Sequence, residues 1–122
     1  MTAIRPVVSV IDDDESVRDS LVGLVRSIGL EVRSFECAPA FLASPSLEET
    51  ACVIADVHMP HMTGPELHEQ LVGQGRAIPT ILITAYPDDH VRARALADGV
   101  LCYLAKPLDD DALIGCVRSA LA

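Results

Sequence analysis

The sequence predicts one α/β domain, a (βα)5 doubly wound five-stranded parallel sheet covered by helices on both faces. Short runs rich in Val and Ile alternate five times with segments of helical periodicity. These runs are continuously apolar, as expected for parallel strands buried on both faces, and the alternation is typical of βαβ units. A length of 122 residues fits a single domain spanning 1–122 with one core.

The N-terminal half contains two predicted strand–helix units. Helix one follows Asp14, whose side chain can cap it, and stops at Gly29. Strand two has the weakest strand pattern, and helix two is ended by Ser44-Pro45. The predicted elements are strand one at 6–11, helix one at 15–28, strand two at 31–35 and helix two at 38–43.

The C-terminal half contains three further units. Helix four has a thin apolar face, whereas helix five opens with three aspartates that favour the positive end of the helix dipole. The predicted elements are strand three at 51–55, helix three at 65–73, strand four at 79–83, helix four at 88–97, strand five at 100–104 and helix five at 109–121.

Composition excludes several classes of function. Nine basic against eighteen acidic residues give a net charge of −9, so the domain is not expected to bind nucleic acid directly. No apolar stretch approaches the roughly twenty residues of a membrane span. Residues 1–6 lack a signal peptide, and the four cysteines have no CxxC spacing. We therefore expect a cytoplasmic domain with reduced thiols.

Chemically reactive residues stand where the predicted strands end. Asp12 and Asp13 follow strand one, Asp56 follows strand three, Thr84 follows strand four and Lys106 comes shortly after strand five. The carboxyl ends of parallel strands share one edge, where ligands gather. Crowded carboxylates repel one another unless a cation neutralises them, and oxygen ligands suit Mg²⁺. The sequence thus predicts a site for a divalent cation and a phosphoryl group.

The order of these motifs resembles the receiver domain of bacterial two-component response regulators. The resemblance covers essentially the whole chain, and the D-x-x-M-P-x-M-x-G stretch from Asp56 to Gly64 is its most specific part. The remaining matching pieces are Ile11-Asp12-Asp13-Asp14, Ile83-Thr84-Ala85 and Tyr103-Leu104-Ala105-Lys106-Pro107. The pattern is closest to receivers of FixJ-type transcription regulators.

The resemblance implies a role for each matching residue. Asp56 would be the phosphoacceptor, taking a phosphoryl group from a phosphohistidine of a sensor histidine kinase. Asp13, Asp56 and the backbone carbonyl of His58 would hold Mg²⁺ (or Mn²⁺), with Asp12 acting mainly through water. Lys106, joined to Pro107 by a cis peptide bond, would contact the phosphoryl oxygens. Thr84 would bind the phosphorylated side chain, and Tyr103 would rotate inward behind it.

The resemblance also implies a fold and an output. The strand order would be 2-1-3-4-5, as in flavodoxin and CheY-like domains. The chain would be a phosphoacceptor switch and no enzyme beyond its own phosphorylation and dephosphorylation. Phosphorylation would alter the surface of helix four and strand five, through which a homodimer could form. The output would be transcription, through a DNA-binding domain that this chain lacks.

Two other classes of function remain open on the residues alone. A phosphatase of the haloacid dehalogenase type would use Asp12 as nucleophile, since Asp12-x-Asp14-x-Ser16 is similar to its D-x-D-x-T motif. It would leave the Asp56 motif unexplained. A receiver-like interaction module that takes no phosphate is the third reading. A metal site built on His58, His61 and His68 is disfavoured, because no tetrahedral set with cysteine is evident.

Overall fold

The computed structural model describes residues 5–122 and contains one parallel sheet of five strands. The strand order is β2-β1-β3-β4-β5, which confirms the predicted topology. Residues 1–4, which belong to the segment predicted not to be a signal peptide, lie outside the described range. The strands are β1 Val7–Ile11, β2 Glu31–Phe35, β3 Thr50–Asp56, β4 Thr80–Thr84 and β5 Cys102–Ala105.

Five α-helices lie close to the predicted positions, four of them between strands and the fifth after β5. An additional 3₁₀ helix, Pro45–Glu49, lies before β3, in a segment for which the sequence predicts no helix or strand. The α-helices are α1 Glu15–Ser27, α2 Ala38–Leu42, α3 Gly64–Gly73, α4 Asp89–Ala97 and α5 Asp110–Leu121. None of the helices within residues 5–122 combines the length and the apolar character needed to span a lipid bilayer.

Strand five begins two residues later than predicted. The backbone N–H of Val100 donates to the carbonyl of Ala95 at 3.0 Å, and Gly99 adopts a φ of 103°. These features close the C-terminus of α4 with a left-handed glycine. Val100 is therefore buried as part of the helix end, and the β4–β5 ladder starts at Cys102.

The sheet divides the core into two apolar layers. Val8, Val10 and Ile54 face α1 and α5, where Leu21 and Leu113 are buried against them. On the opposite face, Ile11, Val53, Ala55 and Leu82 pack with buried residues of α2 and α3, namely Phe41, Leu67 and Leu71. Helices on both faces explain the continuous apolar character of the strands.

The strand order brings β1 and β3 together at the centre of the sheet. β1 pairs with β2 on one side and with β3 on the other, so the chain changes direction across the sheet at this point. In such sheets, ligands bind outside the carboxyl ends of the strands at the change of direction. Ile11 pairs with Ala55, which sets the residues that follow them side by side.

Candidate metal centre

Three carboxylates meet at the carboxyl ends of β1 and β3. Because Ile11 is opposite Ala55, Asp12 and Asp56 lie at the same level of the sheet, and Asp13 begins the turn above them. Each of the three aspartates offers one oxygen, and these oxygens lie within 4.8 Å of one another. This is the only such group of acidic, histidine or cysteine side chains among residues 5–122, and it contains none of the histidines.

The turn between β1 and α1 is held by its own side chains. Asp12 is fully buried, and its Oδ1 accepts a hydrogen bond from the backbone N–H of Asp14 at 2.9 Å. Asp14 is exposed and caps α1, accepting from the backbone N–H groups of Ser16 and Val17. The hydrogen bond from the Ser16 hydroxyl is the main cause that lowers the pKa of Asp14. Asp14 is thus a helix cap, as its position predicts.

Lys106 brings a positive charge to the two buried carboxylates. Its Nζ lies 3.1 Å from Oδ2 of Asp12 and 3.6 Å from Oδ1 of Asp56. The peptide bond to Pro107 is cis, as the resemblance implied, and the backbone N–H of Lys106 donates to the carbonyl of Thr84 at 2.7 Å. Burial alone would lower the pKa of Lys106, but the hydrogen bond and charge of Asp12 and the charge of Asp56 raise it above 10.5.

Asp56 is buried with an incompletely satisfied carboxylate. It is 6 % exposed, and its Oδ1 has no hydrogen-bond partner within the described part of the chain. Burial is the main cause that raises the pKa of Asp56 above 3.8, and the negative charge of Asp12 adds to it, while Lys106 opposes both. A buried oxygen that has no hydrogen-bond partner within the described range, and only the Lys106 ammonium at 3.6 Å beside two further carboxylates, fits a bound divalent cation, since Mg²⁺ prefers such hard oxygen ligands.

The carboxylates open into a cleft of about 270 Å³. Its wall includes the rings of His58 and Tyr86, which meet edge to face with their centres 5.7 Å apart. Both rings are exposed, and Tyr86 is 74 % accessible. The lining residues are Asp12, Asp13, Asp14, Asp56, His58, Ala85, Tyr86 and Lys106. The cleft therefore offers anionic ligands, one ammonium group and access from solvent.

Thr84 and Tyr103 lie outside the lining of this cleft. Thr84 is fully buried at the end of β4, and its Oγ1 accepts a hydrogen bond from the backbone N–H of Tyr86 at 3.0 Å. Tyr103 is half-buried, and its hydroxyl oxygen accepts from the backbone N–H of Asp88 at 3.2 Å. Asp88 caps α4. Tyr103 thus connects β5 to the start of α4, whereas Thr84 holds the loop that follows β4.

The loop after Asp56 ends at Gly64, which packs directly against the backbone of Asp56 and Val57. The N–H of Gly64 donates to the carbonyl of Val57 at 3.1 Å, and a Cβ at Gly64 would lie only 2.6 Å from the carbonyl oxygen of Asp56. Thr63 and Glu66 form a capping box at the start of α3. A glycine is therefore required where α3 approaches the end of β3.

One residue of the site is not indicated by the sequence. Arg18, on the first turn of α1, donates from Nη1 to the backbone carbonyl of Asp12 at 2.6 Å. An arginine on a half-exposed helix face is usually solvated, so nothing in the pattern singles it out. Only the geometry reveals the contact.

Comparison with known proteins agrees with this geometry. The family model described as the response regulator receiver domain matches residues 8–118. Response regulator protein TodT of Pseudomonas putida is 37% identical over 115 residues, which cover 94% of this chain and 51% of TodT. Transcriptional regulatory protein TdiR of Thauera aromatica is 40% identical over 121 residues, 99% of this chain and 53% of TdiR.

FixJ-type proteins are among the relatives, as the sequence pattern predicts. Transcriptional regulatory protein FixJ of Azorhizobium caulinodans is 39% identical over 114 residues, which cover 93% of this chain and 54% of FixJ. The solved structure of response regulator StyR superimposes with a TM-score of 0.88 at 41% identity, covering 96% of this chain and 59% of StyR. The FixJ-N crystal structure gives 0.84 at 31% identity, covering 98% and 94% of the two chains.

These matches decide between the families that the residues alone left open. The chain spans about half the length of the curated relatives it matches. The match at 8–118 favours the receiver over a phosphatase of the haloacid dehalogenase type. The chain belongs to the response regulator receiver domain family.

Proposed function

We propose that this domain is a phosphorylation switch in which Asp56 accepts a phosphoryl group from a phosphohistidine of a sensor histidine kinase. One observation carries the proposal. The Asp56 carboxylate is buried beside Asp12 and Lys106 with one oxygen lacking a hydrogen-bond partner among residues 5–122. Such an oxygen is available to a cation or to a phosphorus atom, and the cleft gives both access.

The transfer requires little covalent help from the protein. A carboxylate oxygen of Asp56 attacks phosphorus, the bond from phosphorus to the donor nitrogen breaks, and that nitrogen keeps the electron pair. The ammonium of Lys106, which pairs with Asp12 and Asp56 in the free protein, then forms an ion pair with the phosphoryl oxygens. Asp12, Asp13, Asp56 and the backbone carbonyl of His58 would hold Mg²⁺ or Mn²⁺, which supplies positive charge to the transferring group. The domain turns over no other substrate.

We assign the response to Thr84, Tyr103 and α4. Among residues 5–122, the Thr84 hydroxyl accepts only from the backbone of Tyr86, so its hydrogen can be donated to a phosphoryl oxygen on Asp56. In forming this hydrogen bond, Thr84 would move towards Asp56. Tyr103 would then rotate into the space that Thr84 leaves. The hydrogen bond between Tyr103 and Asp88 would then break, which frees the start of α4.

We propose that the domain acts in the cytoplasm and controls its output by binding other proteins. The α4 and β5 surface exposes Leu101 at 39 %, and a homodimer through this surface upon phosphorylation is our proposed route to transcriptional control. The net charge of −9 argues that DNA binding is carried out elsewhere than in this domain. Gel filtration of free and phosphorylated protein tests the dimer, and an unchanged elution volume would contradict it.

The phosphoacceptor is tested by mass spectrometry of the intact protein. Protein incubated with Mg²⁺ and acetyl phosphate is expected to gain one phosphoryl group, and chelation of the metal should prevent the gain. The Asp56→Asn variant should gain none, whereas Asp19→Asn, which removes an exposed carboxylate on α1, should behave like the wild type. A wild type that stays unmodified would favour the interaction module that takes no phosphate.

A further inference from the structure

We propose that Arg18 is a positioning residue that fixes the turn after β1 so that Asp13 can bind Mg²⁺. The inference rests on the proposed function, because it concerns the same metal centre. Its starting point is the hydrogen bond from Nη1 of Arg18 to the backbone carbonyl of Asp12 at 2.6 Å. This bond joins the first turn of α1 to the strand end that carries the carboxylates.

The hydrogen bond from Arg18 fixes the backbone carbonyl of Asp12, which makes no hydrogen bond within the sheet that residues 5–122 form. The backbone N–H of Asp12 donates to the carbonyl of Phe35 at 3.1 Å, which fixes the near side of the residue. Its carbonyl lies beyond the last paired residue of β1, Ile11, and it receives the Arg18 guanidinium in place of a strand partner. Without Arg18, this carbonyl would be free to rotate together with the following residue.

Asp13 depends on this turn for its position. Its side chain is exposed and makes no hydrogen bond or ion pair with any residue of the described range 5–122. Its oxygen nevertheless lies within 4.8 Å of oxygens of Asp12 and Asp56. The backbone on either side must therefore place it, through Arg18 on one side and the Asp14 N–H bond to Asp12 Oδ1 on the other.

The charge of Arg18 and its hydrogen bond have opposite effects on Mg²⁺ binding. A guanidinium near the carboxylates repels a divalent cation, so removal of its charge alone would strengthen binding. Removal of the hydrogen bond frees the turn and weakens binding, because ligands are then no longer held in place. The sign of the change in affinity distinguishes the two effects.

The test compares Arg18→Gln and Arg18→Met with Arg26→Gln. Arg26 lies on the same helix, is exposed and forms no ion pair within residues 5–122, so its replacement changes the net charge equally. Mg²⁺ affinity of the metal-free proteins is measured by calorimetry. Both Arg18 variants are expected to bind about tenfold more weakly, as for other residues that orient metal ligands. Arg26→Gln should bind like the wild type or slightly more tightly.

Two further readouts separate positioning from general damage. In metal-free Arg18→Gln, amide exchange of Asp14 should accelerate, because its partner Asp12 is less fixed, while exchange in β3 stays unchanged. The Mg²⁺ concentration for half-maximal phosphorylation by acetyl phosphate should rise about tenfold, with the rate at saturating Mg²⁺ within about twofold of the wild type. Arg18 variants that bind Mg²⁺ as tightly as Arg26→Gln would overturn the inference.

This outcome is distinguishable from failure of the proposed function. A wild-type protein that gains no phosphoryl group refutes the function, whatever the Arg18 variants do. A wild type that is phosphorylated, with Arg18 variants of unchanged Mg²⁺ affinity, refutes only the role of Arg18.

Discussion

At the scale of single residues, Asp56 shows that the site lowers the free energy of unfolding of the metal-free domain. Burial and the neighbouring Asp12 both disfavour its negative charge, and Lys106 compensates only in part. A buried carboxylate oxygen that has no hydrogen-bond partner among residues 5–122 and only a distant ammonium beside it destabilises the metal-free domain. The same features favour binding of a cation, so stability and function compete at this residue.

The Asp56→Asn variant should be more stable than the wild type in the absence of metal. It removes a buried charge that is repelled by Asp12, and the free energy of unfolding should rise by about 1 kcal/mol at neutral pH. The pKa of Asp56 is raised in the folded state, so the folded protein binds this proton more tightly than the unfolded chain. The contribution of Asp56 to stability therefore decreases as the pH rises above 3.8.

Urea unfolding of metal-free protein at a series of pH values checks this expectation. The stability advantage of Asp56→Asn should be absent at low pH, grow as the pH passes upward through the pKa of Asp56, and then remain constant. Asp19→Asn supplies the control for loss of an exposed charge. An advantage that shrinks with rising pH would show that Lys106 outweighs burial.

The sequence predicts which residues meet at this edge of the sheet, but not the contacts that surround them. Strand ends and motif spacing place Asp12, Asp13, Asp56 and Lys106 together, since parallel strands align their carboxyl ends. The full burial of Asp12 and the bond from Arg18 to its carbonyl depend on side-chain packing across elements. Sequence periodicity contains no information on such contacts.

At the scale of elements, the approach of α3 to β3 depends on Gly64. A Cβ there would lie 2.6 Å from the carbonyl oxygen of Asp56 and 2.8 Å from a methyl carbon of Leu82. Gly64→Ala should lower the free energy of unfolding by about 2 kcal/mol, because the helix or the strand end must move. It should also slow phosphorylation of Asp56, whose backbone is displaced.

Gly73→Ala is the matched control for this substitution. Gly73 ends the same helix, and nothing lies within 4 Å of its Cβ position. Its replacement should stabilise the protein by about 0.5 kcal/mol, since alanine favours helix over glycine. Thermal or urea unfolding measures both variants. Equal effects at the two positions would contradict the steric explanation.

The hydrogen bond between Tyr103 and Asp88 should restrain the start of α4. Tyr103→Phe removes the acceptor, so amide exchange of Asp88 should accelerate, with a loss of about 0.5 kcal/mol in stability. Tyr86→Phe removes an exposed hydroxyl and should leave exchange in α4 unchanged. If both variants exchange like the wild type at Asp88, Tyr103 does not connect the sheet edge to α4.

The element pattern was predictable wherever apolar periodicity was strong. The weak apolar face of α4 is confirmed, because Ala95 is its only buried residue. The 3₁₀ helix Pro45–Glu49 was missed, since a single turn with one buried residue, Leu47, has no period to detect. Strand β5 starts late because Gly99 ends α4 and Val100 belongs to that helix end. The continuous apolar run from Val100 to Leu104 gives no sign of this boundary.

At the scale of the whole molecule, net charge and topology together predict that the domain binds a cation. Eighteen acidic against nine basic residues give a net charge of −9, and three of the acidic residues share the edge where β1 and β3 end. A cation bound there relieves local repulsion and stabilises only the folded state. Mg²⁺ should therefore raise the melting temperature, and by less in Asp13→Asn.

Thermal unfolding with Mg²⁺, compared with sodium chloride at the same ionic strength, checks this effect. General screening of acidic charge would make the two salts equivalent. A specific centre predicts an additional increase in melting temperature with Mg²⁺ alone. An increase of equal size in Asp13→Asn and wild type would exclude Asp13 from the centre.

Direct location of the phosphoryl group tests the account most stringently. Protein phosphorylated with acetyl phosphate and Mg²⁺ can be treated with borohydride, which marks the modified carboxyl, and then digested and sequenced by mass spectrometry. We predict a single mark on Asp56, whose buried Oδ1 has no hydrogen-bond partner among residues 5–122. A mark on Asp12, on Asp13, or on no aspartate of this edge would contradict the account.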